Sequence, residues 1–272
     1  MSAGRLVLCP TPIGNLGDVT LRVLDVLRDA DVVACEDTRH TSRLLAHHAV
    51  RAKSLVSYHE HNESSRAREL VSRLSSGAVV ALVSDAGMPS VSDPGYVVVR
   101  AALDAGLRVE VLPGPSAPVV AVVASGLPAD RWRFVGFLPR RAADLRAAFG
   151  APETLVAFES PRRLAATLAA VAELDPARPV AVCRELTKVH EEVVRGDAAT
   201  VAAHFASAPP RGEIVLVIGA AAQSTFDLTA AVTALATLVE AGAKPRPAAK
   251  VVAELTGVPA NTLYAELQSR RG

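Results

Sequence analysis

Short uncharged runs rich in β-branched residues recur along the chain, each ending in a loop of small or polar residues and then an amphipathic stretch. The sharpest is Ala78-Val79-Val80-Ala81-Leu82-Val83, which reads as a buried strand. It opens into Ser84-Asp85-Ala86-Gly87-Met88-Pro89-Ser90-Val91-Ser92-Asp93-Pro94-Gly95, ahead of the helical pattern Tyr96 to Ala105. A strand that opens into such a loop marks the sheet edge where open α/β proteins place ligands. The same alternation predicts strands at Arg5 to Cys9, Asp31 to Cys35, Ser54 to Tyr58 and Arg108 to Leu112. Between them lie a helix capped by Asp18 or Thr20 with an apolar face of Leu21, Leu24 and Leu27, one through Leu44 and Leu45, and one over Asn62 to Leu74. Pro113-Gly114-Pro115-Ser116-Ala117 begins another. Repeated strand-loop-helix units imply an α/β fold with a mostly parallel sheet and helices on both faces.

The pattern changes at the turn-rich join Leu127-Pro128-Ala129-Asp130. Strand-like runs follow at Arg133 to Leu138, Thr154 to Phe158, Pro179 to Arg184, Glu191 to Arg195 and Glu213 to Ile218. Only Glu185 to His190 separates two of them, too short for a crossover helix, so a mixed sheet with an antiparallel pair is expected. Beyond Ala222 the pattern is wholly helical, with Leu228 to Ala241, then Ala248 to Thr256 and Ala260 to Gln268 around Gly257-Val258-Pro259 in a helix-turn-helix arrangement. The expected organisation is an N-terminal α/β domain over 1–126, a second α/β domain over 127–222 and a small helical extension over 223–272.

With 272 residues, 50% of them apolar, the chain can bury one large core or two modest ones. A formal charge of +1 gives no global basic field, although a local patch suffices to hold nucleic acid. Cys9, Cys35 and Cys183 are far apart on predicted strands, as expected for buried free thiols in a reducing compartment. The first apolar run, Leu6 to Cys9, is too short for a signal peptide or a membrane span, so a cytoplasmic protein is expected.

The first loop, Thr11-Pro12-Ile13-Gly14-Asn15-Leu16-Gly17-Asp18, lacks G-x-G-x-x-G, and Pro12 removes an N–H that a phosphate site would use. No G-K-[ST] occurs, so a nucleotide-like ligand would not be gripped by phosphates. Asp85 either pairs with a cationic ligand group or caps its own loop. Pro113 to Ala117 offers free backbone N–H groups and the Ser116 hydroxyl, as a polar ligand site or an ordinary cap. Glu36-Asp37-Thr38-Arg39 can orient a substrate or solvate a loop. Tyr58-His59-Glu60-His61-Asn62-Glu63 lacks H-E-x-x-H spacing, so no metal site is expected. Phe158-Glu159-Ser160-Pro161-Arg162-Arg163 ends a strand and starts a helix, with Pro161 suited to the first turn. The charges of Arg184-Glu185-Leu186-Thr187-Lys188 need partners, in a salt-bridged network or an active site. Arg211-Gly212-Glu213 can turn a carboxylate into a cleft.

On these segments the chain resembles the tetrapyrrole methylase superfamily, which uses S-adenosylmethionine, and within it the branch that methylates ribosomal RNA. The resemblance runs in order over residues 5 to about 219, and more loosely beyond. Met88 stands where threonine is common in the family and Arg162 where histidine is common, while Arg163 keeps a basic group in place. The resemblance implies two α/β domains with the cofactor in the cleft between them, and a homodimer. It also implies 2′-O-methylation of a cytidine in the decoding region of the 16S ribosomal RNA of the small ribosomal subunit. Pro12, Asp85, Ala86, Gly87, Ser116, Ala117, Phe158 and Glu213 are then expected at the cofactor, and Asp37, Arg39, His59, Asn62 and Arg163 at the substrate. S-adenosylmethionine carries no phosphate, in keeping with the first loop.

Methyl transfer to a ribose hydroxyl needs in-line alignment, worth about 7–11 kcal/mol, and proton removal, worth about 10²–10⁴-fold. Lys188 and Glu36 are the expected groups flanking the acceptor oxygen. A lysine base would need desolvation or a cationic neighbour such as Arg184 to lower its pKa, and Glu36 or Asp37 can accept the proton instead. Phosphate contacts are expected from Arg131, Arg133, Arg140, Arg141 and Arg146, and from Lys244, Arg246 and Lys250. The alternatives are a C-methyltransferase acting on a tetrapyrrole precursor and a non-catalytic DNA-binding regulator built on the terminal helices.

Overall fold

The computed structural model describes residues 4–207, 210–221 and 228–269. The chain divides into two compact units, Met1–Ala220 and Ala221–Gly272. The expected join at 222/223 lies outside the described residues.

In the larger unit, five strands build a parallel sheet: β1 (Arg5–Leu8), β2 (Val32–Cys35), β3 (Leu55–Ser57), β4 (Val79–Val83) and β5 (Arg108–Val111). Their order is β3-β2-β4-β1-β5. Successive side chains point to opposite faces. Leu6, Ala34, Val80 and Leu82 therefore pack with α3 (Glu63–Ser75) and α4 (Tyr96–Asp104) on one face. Val7, Val33, Cys35 and Ala81 pack on the other face with α1 (Leu21–Asp29) and α2 (Thr38–His47). Neighbouring strands β1 and β4 thus send their helices to opposite faces, and a crevice opens beyond their carboxyl ends.

The α1 cap is Thr20, whose Oγ1 accepts from Val23 N at 3.2 Å, while Asp18 sits in a preceding 3-10 turn. The expected apolar face of α1 needs correction. Leu21 is 79% exposed, and the buried pair is Val23 and Leu27, one helical turn apart on the sheet-facing stripe.

The second sheet combines β6 (Trp132–Phe137), β7 (Thr154–Glu159), β8 (Pro179–Arg184), β9 (Glu192–Asp197) and β10 (Ile214–Ile218) in the order β6-β7-β10-β8-β9. The β6–β7 pair is parallel and the other three are antiparallel, as the short β8–β9 connection required. One face packs on α7 (Leu164–Leu174) and α8 (Ala198–Ala206), beside the short α6 (Ala142–Phe149). The other face is covered by α5 (Ala117–Ser125), through Ala121 and Val122 against Val156, Ala181, Val215 and Val217. The crossing from one sheet to the other is therefore made in the loop before α5, ahead of the sequence join at 126/127.

The smaller unit is α9 (Leu228–Glu240), α10 (Pro245–Thr256) and α11 (Ala260–Ser269) around Val232, Leu235, Val252, Leu263 and Leu267. Gly257, at φ +71°, closes α10 in the left-handed conformation that glycine adopts without steric cost. Among the described residues no helix is long and apolar enough to cross a membrane.

Candidate functional site

Three loops from the carboxyl edge of the first sheet meet one edge of the second. The β1 and β4 loops are pinned by a two-way bridge, Thr11 N to Gly87 O at 2.9 Å and Gly87 N to Thr11 O at 3.0 Å. Thr11 Oγ1 also donates to Ser84 O at 3.0 Å. Ser90 and Ser92 hold left-handed backbones at φ 70° and 62°, a strained geometry for residues carrying a Cβ.

These loops and the second sheet enclose a cavity of about 430 Å³, within the usual small-molecule range. Of the expected cofactor residues, Ala86, Gly87, Ser116, Ala117, Phe158 and Glu213 line it. Ser116 occupies the cap position of α5 without making a side-chain cap bond, so its hydroxyl is left for a ligand. Phe158 stacks edge-on with Phe134, ring centres 5.0 Å apart, and meets Phe137 at 5.5 Å on the rim. Met88, which stands where threonine is common in the family, is among the lining residues.

Pro12 and Asp85 are absent from that lining. Pro12 is buried beside Ile13, which does line the cavity. Asp85 bridges loops, its Oδ1 accepting from Asp37 N at 3.0 Å. This bond is neither the ligand pairing nor the local cap of its own loop, because it reaches a backbone N–H 48 residues away in the β2 loop.

The cavity carboxylate that sequence reasoning passed over is Asp93. Burial first, then the neighbouring Glu36 and Asp85 charges, pushes its carboxyl up to about 6, against the lowering effect of a hydrogen bond with Ser84. Glu36 is raised as well, by burial and then by Asp85, with His59 opposing. Asp93 lies in the same loop as Asp85, but only the folded loop distinguishes the carboxylate facing the cavity from the one facing the backbone.

Lys188 does not meet the condition for a base. Its Nζ donates to Glu185 Oε1 and to Glu213 Oε2, each at 2.8 Å. Burial alone would lower its pKa, but these two carboxylates outweigh burial and hold it above the ordinary lysine value. The expected cationic neighbour, Arg184, is instead paired with Glu192 at 2.9 Å. Lys188 borders a second, open pocket with His47, Glu185 and Thr187.

The expected substrate residues are largely engaged with their own loops. Asp37 caps α2 by accepting from Arg39 N at 2.8 Å and pairs with the Arg39 guanidinium at 3.2 Å. The Arg39 hydrogen bonds hold the Asp37 carboxyl below its ordinary value. Asn62 Oδ1 accepts from His59 N at 3.0 Å, and Tyr58 is buried with its hydroxyl accepting from Val98 N at 3.3 Å. Arg163 donates to Leu138 O at 3.0 Å and Pro139 O at 2.7 Å, fixing the end of β6, while Arg162 is the exposed neighbour.

The sequence profile of the tetrapyrrole (corrin/porphyrin) methylases matches residues 5–202, from β1 through β9. The chain belongs to that family. Among curated relatives, the ribosomal RNA small subunit methyltransferase I of Micromonospora olivasterospora is 46% identical, over 98% of this chain and 87% of its own. The solved uroporphyrin-III C-methyltransferase of Thermus thermophilus is 26% identical with a TM-score of 0.56, covering 79% of this chain and 94% of its own. A structure of that enzyme complexed with S-adenosylhomocysteine matches at 23% identity and a TM-score of 0.55, over 79% of this chain and 97% of its own. The two-sheet architecture is thus the methylase fold, and the helical unit from α9 onward lies beyond the profile match.

Proposed function

We propose that this chain transfers the methyl group of S-adenosylmethionine to the 2′-hydroxyl of a cytidine ribose in the decoding region of 16S ribosomal RNA. One observation carries the cofactor part. Among the described residues the cavity lining contains no lysine, arginine or histidine, yet it includes Asp93, Glu159 and Glu213. Glu159 and Glu213 are already paired with Arg163 and Lys188, so Asp93 is the carboxylate left to favour a cationic, phosphate-free ligand over a nucleotide held by its phosphates. Ser116 and the α5 N-terminus suit polar groups of the donor, and Phe158 with Ile13 suits its adenine. When bound, the donor supplies an electrophilic methyl carbon on a sulfonium. The protein's own contribution is to orient the acceptor oxygen and to exclude water.

The RNA part is supported by the 46% identity to a methyltransferase named for ribosomal RNA, spread over 98% of the chain including the helical unit. Lys244, Arg246 and Lys250 are exposed on and before α10, with Arg246 over the Tyr264 ring at 5.6 Å. They suit phosphate contacts. The cluster in the second sheet is weaker support, because Arg133, Arg141 and Arg146 are paired with Glu153, Asp144 and Glu173. The protein acts as a cytoplasmic homodimer in this reading, and exposed Val119 and Val123, one turn apart on α5, suit a covered face. Sedimentation of the purified protein tests the dimer.

The activity test offers tritiated S-adenosylmethionine with isolated small ribosomal subunits, naked ribosomal RNA and a tetrapyrrole in parallel. Label at a ribose of the assembled subunit is the expected result. Unlabelled RNA beside a labelled tetrapyrrole would instead establish the C-methyltransferase.

A further inference from the structure

The geometry points to Asp93 as the group that accepts the ribose proton during methyl transfer. This assignment rests on the functional reading above and concerns the same cavity. Among the described residues lining that cavity, the titratable side chains are Asp93, Glu159, Cys183 and Glu213.

Three of the four are disqualified by their surroundings. Glu159 is buried and engaged, accepting from Thr167 Oγ1 at 2.6 Å and Ser160 N at 2.7 Å, with the Arg163 guanidinium 3.5 Å away. Glu213 is ion-paired to Lys188 at 2.8 Å. Cys183 is a neutral thiol, pushed up to about 11 by burial. Asp93 accepts one hydrogen bond, from Ser84, and among the described residues no cation is paired with it. Its charged surroundings are Glu36 and Asp85, with Asp37 and His59 beside Glu36.

The chemistry follows from that lack of a cationic partner. An ordinary carboxylate, with a pKa near 4, is a weak proton acceptor. A carboxyl raised to about 6 is still mostly ionised at neutral pH, yet binds a proton more strongly. In the transfer, the ribose oxygen forms its bond to the methyl carbon as the carbon–sulfur bond breaks. The broken bond's electron pair stays on sulfur, and the hydroxyl proton passes to an Asp93 oxygen. A sulfonium and a carboxylate become a thioether and a carboxylic acid, so charge and atoms balance, and the acid later releases its proton to solvent. Glu36, which touches Asp93 only through its field, acts as a positioning residue that raises the basicity of Asp93.

The test is single-turnover methylation of isolated small subunits from about pH 5 to pH 9 at saturating S-adenosylmethionine, with cofactor affinity measured separately by calorimetry. In D93N the transfer rate is expected to fall roughly 10²–10⁴-fold while cofactor affinity stays within about threefold. The wild-type acid limb, at or below about 6 because the bound cation lowers it, should vanish in D93N and move to lower pH in E36Q. Transfer by D93N within about threefold of wild type would overturn the assignment, as would a rate loss that tracks lost cofactor occupancy. Absence of label with wild-type protein would instead bring down the ribosomal reading, and this assignment with it.

Discussion

The Lys188 ammonium and the Glu213 carboxylate lie 2.8 Å apart, and the same ammonium reaches Glu185 at 2.8 Å. Glu185 Oε1 also accepts from Glu213 N at 2.9 Å. One lysine therefore ties the β8–β9 loop to the strand that enters the cavity wall, in an arrangement that keeps it protonated.

Replacing Lys188 should consequently disturb a joint and spare the proton transfer. Both partners are partly solvated, so K188A is expected to cost about 1 kcal/mol or less in chemical denaturation. The pH dependence of its single-turnover transfer should match wild type. A displaced acid or alkaline limb in K188A would show that the lysine titrates in the reaction.

Asp85 tests a different joint. Its carboxylate holds the Asp37 N–H at 3.0 Å and so joins the β2 and β4 loops. D85A leaves that donor without its partner and should destabilise the protein by about 1–2 kcal/mol. D85N keeps an acceptor oxygen in place and should lose less, as read by urea denaturation of the two variants side by side.

The raised Asp93 carboxyl has a signature in stability as well as in rate. Its folded pKa of about 6 exceeds the unfolded value near 3.8, so between these values the folded state binds more protons. Stability is then fully supported below the unfolded value and falls as pH rises through about 6. Glu36, also raised, contributes in the same direction. D93N should therefore be more stable than wild type near neutral pH, with the difference closing below about pH 4. Urea midpoints of both proteins across that range provide the check.

Gly14 separates the first loop from the β8–β9 loop by too little space for a side chain. A Cβ there would lie 2.5 Å from Lys188 Cγ and 2.8 Å from both Leu186 O and Thr187 Oγ1. G14A should force the loops apart, costing about 1–3 kcal/mol and weakening cofactor affinity through the neighbouring Ile13. Thermal unfolding and calorimetric cofactor titration would both register it. An unchanged Tm would show that the loops yield without cost.

The pattern of residues made the strands legible because each is short, uncharged and bounded by loops, and the faces followed from period two. Glu185 to His190 announced an antiparallel pair by length alone, and β8 and β9 form it. Chain order is silent about partners across space. Arg163 is expected from the motifs as a basic group at the substrate, and it is bonded to the carbonyls of Leu138 and Pro139, about 24 residues back.

By itself, the sequence of small residues, prolines and glycines from Ser84 to Gly95 pointed to the edge after β4, where the cavity lies, and the ordered motifs determined the methylase family. Which carboxylate of that loop faces the cavity was decided by tertiary structure. Asp85 and Asp93 are chemically the same group, but one is turned onto a backbone N–H and the other is left among like charges in a confined space. Lys188 received its role the same way, from two carboxylates that only folding brings to it. Residue type sets what a group can do, and the field and contacts around it settle what it does.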